Sequence, residues 1–165
     1  MTTEEKGAPE LLAMDYPLSL PCRFDAGRYM GRFLVELRDH KKIWANKCPK
    51  CGRISCPPVT FCDLCHGVEM TEWIEQGNEG ELRSAEVVYF EFVQPSTGKV
   101  QPVPWAHGSV LFDGGASLGH YLDPPDPAKL KRGERYKVVW KEKGRVGDVH
   151  DIQHFTAVEE GDKNE

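Results

Sequence analysis

The sequence contains no long hydrophobic run. None of its apolar stretches approaches the roughly 18 residues that a membrane-spanning helix requires, so a membrane protein spanned by helices is excluded. The opening residues Met1 to Lys6 are polar and no signal-like apolar stretch follows them, so we expect the chain to remain in the cytoplasm. In that reducing compartment the 6 cysteines are expected to be thiols or metal ligands rather than disulfides.

The common catalytic signatures are also missing. The sequence has no Gly-x-Ser-x-Gly elbow, no phosphate-binding loop and no Gly-x-Gly-x-x-Gly fingerprint. These absences give no support to a hydrolase of the elbow type or to a nucleotide-dependent enzyme. We therefore expect no catalytic residues in this chain.

Charge of one sign does not dominate the chain. The net charge is −5, yet residues 23–53 hold nine Lys/Arg against three Asp/Glu, whereas residues 79–165 hold eleven against fifteen. A general nucleic-acid-binding protein is normally basic over its binding face. The positive charge of residues 23–53 beside the negative charge of residues 79–165 therefore argues against a general nucleic-acid-binding protein.

Two Cys-x-x-Cys pairs are the most specific motif present, Cys48 with Cys51 and Cys62 with Cys65. Pro49 stiffens the first loop, and Gly52 permits the positive φ that turns backbone N–H groups toward the sulfurs. Four thiolates in tetrahedral reach are typical of a closed, structural Zn²⁺ site. The alternatives are a dithiol redox pair or two disulfides, but no βαβ pattern surrounds the motif. The spacing predicts a zinc ribbon with these four cysteines as the metal ligands.

The two remaining cysteines, Cys22 and Cys56, lie in segments flanked by proline. A catalytic thiol needs an adjacent base and an orienting third group, and the sequence shows neither beside them. We expect both to be small buried hydrophobic residues.

The chain before the ribbon divides into an arm and a helix. Residues 1–24 form an arm that is interrupted by Pro9, Pro17 and Pro21 but is rich in apolar residues from Leu11 to Leu20, and we leave open whether it packs on its own domain or on a partner. Residues 25–43 contain a helix that Asp25 can cap. Its apolar stripe recurs at helical spacing and comprises Met30, Phe33, Leu34 and Leu37. Arg28, Arg32 and Arg38 lie off that stripe, either as a solvated face or as a contact for an acidic partner or phosphates.

The pattern after the ribbon changes from helical to strand periodicity. Five strands are predicted, at residues 82–93, 105–112, 116–122, 135–141 and 149–158, and Asp113-Gly114-Gly115 is a hairpin turn. The fold class is mainly β with an N-terminal helix, with a rubredoxin-like zinc ribbon at 44–78, a five-stranded OB-fold barrel at 79–158 and a tail at 159–165. The insert between the third and fourth strands is short for an OB-fold helix, so an SH3-like barrel stays open.

Histidines and a basic stretch are the other candidate functional groups. His107, His120, His150 and His154 are expected to be surface or hydrogen-bonded residues, with His150 and His154 on one face of the last strand. Residues four apart on a strand lie about 13 Å apart, too far to hold one ion. The eight basic residues between Lys129 and Arg145 have two interpretations. They form a solvated hairpin face, or they contact the phosphates of coenzyme A or an acidic partner.

The order of these parts resembles a known family. A basic amphipathic helix, Cys48-Pro-Lys-Cys51-Gly, Cys62-Asp-Leu-Cys65, Gly80-Glu-Leu-Arg-Ser84 and a small barrel together resemble the zinc-ribbon plus OB-fold family of acyl-CoA-associated proteins, over residues 25–158. The barrel matches by pattern more than by residues. Two positions depart from the family, His66 where Gly is usual and Cys56 where Cys is rare, and neither removes a ligand.

The resemblance implies a partner. Members of this family accompany a thiolase-fold large subunit as its small, non-catalytic subunit, in a hetero-oligomer where they help to form the acyl-CoA entrance region. The chain also looks like the small subunits of thiolases of aromatic degradation, such as the one in the benzylsuccinate pathway of anaerobic toluene breakdown. The alternatives are an OB-fold single-stranded nucleic-acid-binding protein, which the acidic barrel disfavours, and a pure assembly scaffold that does not contact coenzyme A.

Overall fold

The structure, a computed structural model, describes residues 24–93 and 98–158. These residues contain one α-helix, α1 (Gly27–His40), followed by eight strands in two sheets. The described part of the chain includes no helix that is long and apolar enough to cross a membrane. The predictions for the N-terminal arm, Cys22 and the tail fall outside the described residues.

Helix α1 buries the predicted stripe. Phe33 and Leu37 are fully buried in the main core, and Met30 and Leu34 pack partly buried against it. The prediction for Asp25 is wrong in detail, because the N-cap position is Ala26, which makes no side-chain cap bond. The Asp25 carboxylate instead accepts a hydrogen bond from the Gly27 N–H at 2.8 Å, outside the cap position.

A small three-stranded sheet follows the helix. It consists of β1 (Trp44–Lys47), β2 (Ile54–Ser55) and β3 (Glu72–Glu75), antiparallel in the order β2-β1-β3. The buried Asn46 fixes the return segment to this sheet. Its side-chain amide donates to the carbonyls of Val59 and Met70 and accepts from the Val59 N–H. One buried side chain thus satisfies three backbone groups of a segment that forms no strand.

The remaining strands close into a barrel. They are β4 (Glu79–Val88), β5 (Trp105–Phe112), β6 (Ser117–Asp123), β7 (Arg135–Trp140) and β8 (Ile152–Ala157). The order around the barrel is β4-β5-β6-β8-β7, and β7 pairs back to β4. All pairings are antiparallel except that of β6 with β8. The predicted fold class, a mainly β chain with an N-terminal helix and a five-stranded OB-fold barrel, is confirmed.

Several strand limits differ from the prediction, among them the start of the first barrel strand at Glu79 rather than 82. The first barrel strand ends at Val88 rather than 93, because its partner β5 begins only at Trp105, after Pro102 and Pro104, which cannot donate to a ladder. The last strand begins at Ile152 rather than 149. Val149–Asp151 form a 3-10 turn instead, because the buried Asp151 carboxylate accepts backbone N–H groups from residues 146–148.

Helix, ribbon sheet and barrel are joined by buried contacts. Phe33, Leu37 and Ile43 belong to the same apolar cluster as the barrel residues Phe112 and Phe155. Residues 124–134, between the third and fourth barrel strands, form no helix. Helix α1 therefore supplies the helical cover of this core, although it comes from outside the barrel sequence.

Gln76 connects the ribbon sheet to the barrel. It is buried, and its side-chain oxygen accepts the Ala116 N–H at 2.8 Å, while its side-chain nitrogen donates to the Ile74 carbonyl. Its backbone N–H donates to the Ile43 carbonyl at 2.9 Å. Gly114 lies so close that an added Cβ would sit 2.8 Å from Gln76 atoms. The end of the ribbon and the β5–β6 turn therefore fit only without a side chain at residue 114.

Candidate metal centre and barrel face

The four cysteines of the two Cys-x-x-Cys pairs come together at one point. The sulfurs of Cys48, Cys51, Cys62 and Cys65 all lie within 4.8 Å of one another, and those of Cys51 and Cys62 are 3.6 Å apart. Sulfurs bound to a tetrahedral zinc at about 2.3 Å are separated by about 3.8 Å. The donor set and its spacing therefore fit a metal ion such as zinc. That these residues hold zinc remains a prediction.

The two knuckles have matching backbones. The N–H groups of Lys50 and Cys51 point at the Cys48 sulfur, and those of Leu64 and Cys65 point at the Cys62 sulfur. Burial opposes ionisation of Cys48, but these donors and the neighbouring thiols outweigh it and lower its pKa to about 7. Such donors favour the thiolate, which is the form that binds a metal, but at Cys62 burial outweighs them and raises the pKa of the thiol.

The position after each knuckle requires left-handed backbone. Gly52 has φ 76° and His66 has φ 42°. A non-glycine residue costs roughly 1–2 kcal/mol in this region, and the second knuckle accepts that cost. His66 therefore adopts the same left-handed turn that a glycine would provide at this position.

The ribbon has little core of its own. Its buried apolar cluster consists of Cys48, Cys62 and Met70, with Cys65 and Val68 packed partly buried beside it. Three of these five residues are sulfur ligands of the candidate site. A module of this size needs a metal or a comparable crosslink to stay folded.

Cys56 takes no part in the cluster. It is half-buried and packs against the main core, and burial raises the pKa of its thiol to about 12. It therefore stays protonated and packs as a small apolar residue, although it is half-buried rather than buried as the sequence predicts.

Within the described residues, the histidines of the barrel belong to no group of three or more side chains that could hold a metal ion. His120 is buried, its Nε2 lies 2.7 Å from the Ile152 carbonyl, and its ring contacts those of His150 and Phe155. This confirms a hydrogen-bonded histidine. The prediction that His150 and His154 share a strand face is wrong, because His150 lies on the 3-10 turn and stacks on Tyr121.

Replacing His120 with glutamine is expected to flatten the acid dependence of stability. Burial lowers the pKa of His120 from 6.5 to about 4, so the unfolded chain binds this proton first. The contribution of His120 to the free energy of unfolding is fully present above pH 6.5. It is lost as the pH falls toward 4, by up to about 3 kcal/mol. Urea unfolding between these pH values measures it. The exposed His66→Asn variant should keep the wild-type slope, and an unchanged slope in H120Q would contradict the assignment.

Ion pairs within the chain neutralise much of the positive charge that the sequence shows in residues 23–53. Ion pairs join Lys42 to Glu75, Lys47 to Glu72 and Arg53 to Asp63. In the later basic stretch, Arg135 pairs with Asp113 and Glu79, while Arg145 donates to the Arg38 and Lys141 carbonyls. Much of the positive charge therefore serves internal contacts.

Arg32 joins α1 to the ribbon sheet. Its guanidinium carbon lies 4.3 Å from the ring centroid of Trp73 and 5.1 Å from that of Trp44. Tyr29 stacks on Trp73 at 5.7 Å, next to this contact. Aromatic rings attract a cation over their faces, so this residue fastens the helix to the ribbon.

Replacing Arg32 with glutamine is expected to lower the free energy of unfolding by about 1–2 kcal/mol, because two cation–π contacts are lost. Urea unfolding measures the difference. Arg28→Gln is the matched control, since Arg28 lies 5.9 Å from the Tyr29 ring and should change stability by less than about 0.5 kcal/mol. Equal losses in the two variants would contradict the assignment.

Comparison with known proteins identifies the barrel. Residues 73–141 match the family described as "ChsH2, C-terminal OB-fold domain". The barrel is an OB fold of the ChsH2 type. The match begins within β3 and covers the first four barrel strands, so it includes neither the ribbon cysteines nor β8.

Two solved structures resemble the chain. One is described as an Ltp2-ChsH2(DUF35) aldolase, with 19% identity, a TM-score of 0.55 and coverage of 81% of this chain and 98% of that chain. The other is a protein of unknown function from the DUF35 family of Sulfolobus solfataricus, with 23% identity, a TM-score of 0.48 and coverage of 66% and 75%. The first likeness extends the ChsH2-type fold beyond the matched barrel segment. Among curated proteins, none matches this chain.

Sequence reasoning missed three buried polar residues that bind backbone groups of loops and turns. Asn46, Gln76 and Asp151 are each fully or almost fully buried. Nothing in the local pattern of Gln76 and Asp151 separates them from surface residues. A polar residue inside the short apolar run Trp44-Ala45-Asn46 was the only available signal, and it applies to Asn46 alone.

Proposed function

We propose that this chain is a non-catalytic accessory subunit of a heteromeric thiolase-like complex. In this proposal it stabilises a thiolase-fold large subunit and shapes its acyl-CoA entrance region, for thiolysis or condensation of a β-ketoacyl-CoA in the cytoplasm. The observation that carries it is a ChsH2-type OB-fold barrel behind a four-cysteine ribbon. The similar aldolase structure names a second protein, Ltp2, beside ChsH2, which supports a hetero-oligomer.

The metal in this proposal is structural. Cys48, Cys51, Cys62 and Cys65 would hold Zn²⁺, and four sulfur ligands leave no open position for water. The ion would replace the core that the ribbon lacks. We retain the division into helix (25–43), ribbon (44–78) and barrel (79–158) as part of the proposal.

The inventory of side chains supports catalysis in another chain. Thiolase chemistry requires an activated cysteine with a nearby base. Among the described cysteines outside the cluster, Cys56 has a pKa raised to about 12 by burial. The proposal also includes a contact with coenzyme A and a role in aromatic degradation. Both rest on the family resemblance of the sequence.

Reconstitution tests the proposal. A thiolase-fold protein encoded next to this chain would be purified alone and with this chain, and turnover of a β-ketoacyl-CoA measured for both. We expect turnover to require this chain or to increase at least about tenfold with it, because the entrance region is otherwise incomplete. Equal turnover without this chain would show that the accessory role is wrong.

A second candidate, binding of single-stranded nucleic acid, has one observation in its favour. Tyr89 and Phe90 are exposed aromatic residues on an OB fold, where bases can stack. The paired cations weigh against it, because backbone phosphates need free positive charge. Binding of an oligonucleotide at low salt that weakens steeply as salt rises would favour this function over the accessory role.

A further inference from the structure

One of the four clustered cysteines is open to solvent. Cys48 and Cys62 are 0% and 1% exposed and Cys65 is half-buried, whereas Cys51 is exposed. Its neighbours along the chain leave it uncovered, since every residue from 49 to 53 is exposed in the described part of the chain. A small oxidant dissolved in water therefore reaches the Cys51 sulfur more easily than the other three, and access of this kind controls which thiolate reacts.

A second sulfur lies close to this exposed one. The Cys62 Sγ is 3.6 Å from the Cys51 Sγ, although it belongs to the other knuckle. Two cysteines in a disulfide hold their sulfurs about 2.0 Å apart, so this pair needs only a small movement to form one. An accessible thiolate beside a second thiol is the arrangement typical of cysteines that respond to oxidants.

Cys56 does not compete with this pair. It is half-buried against the main core, outside the four-sulfur cluster. Burial raises the pKa of its thiol to about 12, so it is protonated at neutral pH. The thiolate and not the thiol reacts with an oxidant, so Cys56 is the inert cysteine of this region.

We propose that Cys51 is an oxidation site through which a hydroperoxide opens the ribbon. The Cys51 thiolate attacks one peroxide oxygen, the O–O bond breaks and hydroxide leaves, which produces a sulfenic acid. The Cys62 thiolate then attacks the Cys51 sulfur and expels a second hydroxide, so that a Cys51–Cys62 disulfide forms. The two sulfurs together lose two electrons, and the peroxide gains them. This inference goes beyond the accessory role but rests on the four-cysteine metal site of the proposed function.

The consequence falls on the ribbon. A disulfide removes two of the four ligands, and the two thiolates that remain cannot close a tetrahedral site. The knuckles then depend on a small apolar cluster and on local backbone bonds, such as those from Cys48 to Arg53 at 2.8 Å and from Met70 to Thr60 at 3.0 Å. The barrel has a separate and larger core. Oxidation therefore loosens the ribbon and leaves the barrel folded, and a dithiol reductant with zinc reverses it.

The test treats the zinc-loaded full chain with hydrogen peroxide, in a Cys22→Ser background so that this additional thiol does not react. A chromogenic chelator should record the release of about one zinc ion per chain, because the four cysteines form one structural site. Amides of the two knuckles should lose protection from hydrogen exchange while those of the barrel keep it. Dithiothreitol with added zinc should restore both readouts.

Peptide mapping identifies the oxidised pair. Trypsin cleaves after Lys50 and Arg53, so Cys51 is separated from Cys48 and also from the peptide 54–83 that contains Cys62. Mass spectrometry during the first part of the reaction should find the peptide 51–53 joined to the peptide 54–83. Fragmentation of the longer peptide should place the bond at Cys62.

Two histidine variants separate the exposed thiolate from the site as a whole. Cys51→His keeps a set of three cysteines and one histidine, which also binds structural zinc, but removes the exposed thiolate. Zinc release by peroxide should therefore slow at least about tenfold. Cys65→His changes the ligand set in the same way but keeps Cys51, so it should lose zinc at least about tenfold faster than Cys51→His. Cys56→Ser is the control for the wild-type rate and should stay within about twofold of it.

The outcomes distinguish this inference from the proposed metal site. A wild-type chain that keeps its zinc under peroxide, or whose first disulfide lacks Cys51, overturns the inference and leaves the metal site intact. Equal release from Cys51→His and Cys65→His overturns it as well. A wild-type chain that binds no zinc overturns both. If either histidine variant fails to bind zinc, the peptide map of the wild-type chain decides.

Discussion

Replacing Cys48 with serine is expected to remove the metal and unfold the ribbon. The serine hydroxyl is a poor zinc ligand, and the remaining three thiolates cannot close a tetrahedral site. Since Cys48 and Cys62 form most of the ribbon core, little apolar packing remains when the ion leaves. Zinc content should fall from about one ion per chain to below about 0.1, because structural sites bind as one folded unit.

Hydrogen exchange locates this loss. Amides of β1 and β2 and of the two knuckles should lose protection in Cys48→Ser, and in wild-type chain treated with a strong chelator, because their fold depends on the ion. Cys56→Ser is the matched control, since Cys56 packs on the main core outside the cluster and should leave the zinc content unchanged. Full zinc content in Cys48→Ser would contradict the assignment of the ligands.

Replacing Gln76 with leucine is expected to destabilise the protein by about 2–4 kcal/mol. The change leaves the Ala116 N–H without its acceptor and places an apolar side chain between polar backbone groups. The backbone bond from residue 76 to Ile43 remains, so the effect falls on the contact between ribbon and the β5–β6 turn. Urea unfolding measures the loss.

The exposed Gln153 provides the control for this prediction. Gln153→Leu lies on β8 and should change stability by less than about 0.5 kcal/mol. A loss of stability of the same small size for Gln76→Leu would show that the buried amide does not join the ribbon to the β5–β6 turn. Loss of exchange protection at Ala116 in Gln76→Leu, with the knuckle amides unchanged, would support its role as the joint.

Features that depend on local chemistry could be predicted from the sequence. The helical stripe of Phe33 and Leu37 is buried as its spacing indicates. The turn at Asp113-Gly114-Gly115 lies between β5 and β6, because glycine there permits close approach and left-handed backbone. The cysteine spacing likewise brings four sulfurs together, since each Cys-x-x-Cys loop fixes two of them locally.

Features that depend on distant partners could not be predicted. The end of β4 at Val88 is set by where β5 begins, 17 residues later in the chain. The burial of Gln76 depends on the β5–β6 turn folding over it, about 40 residues away. The turn that removes His150 from the last strand depends on the Asp151 carboxylate, whose backbone donors the periodicity does not show.

Native mass spectrometry of this chain co-expressed with a thiolase-fold protein tests the accessory role most directly. The role predicts a hetero-oligomer that survives purification and carries one zinc ion for each copy of this chain, since the structural site belongs to the small subunit. Detection of the two proteins only as separate species at micromolar concentration, with this chain folded and loaded with zinc, would contradict the accessory role.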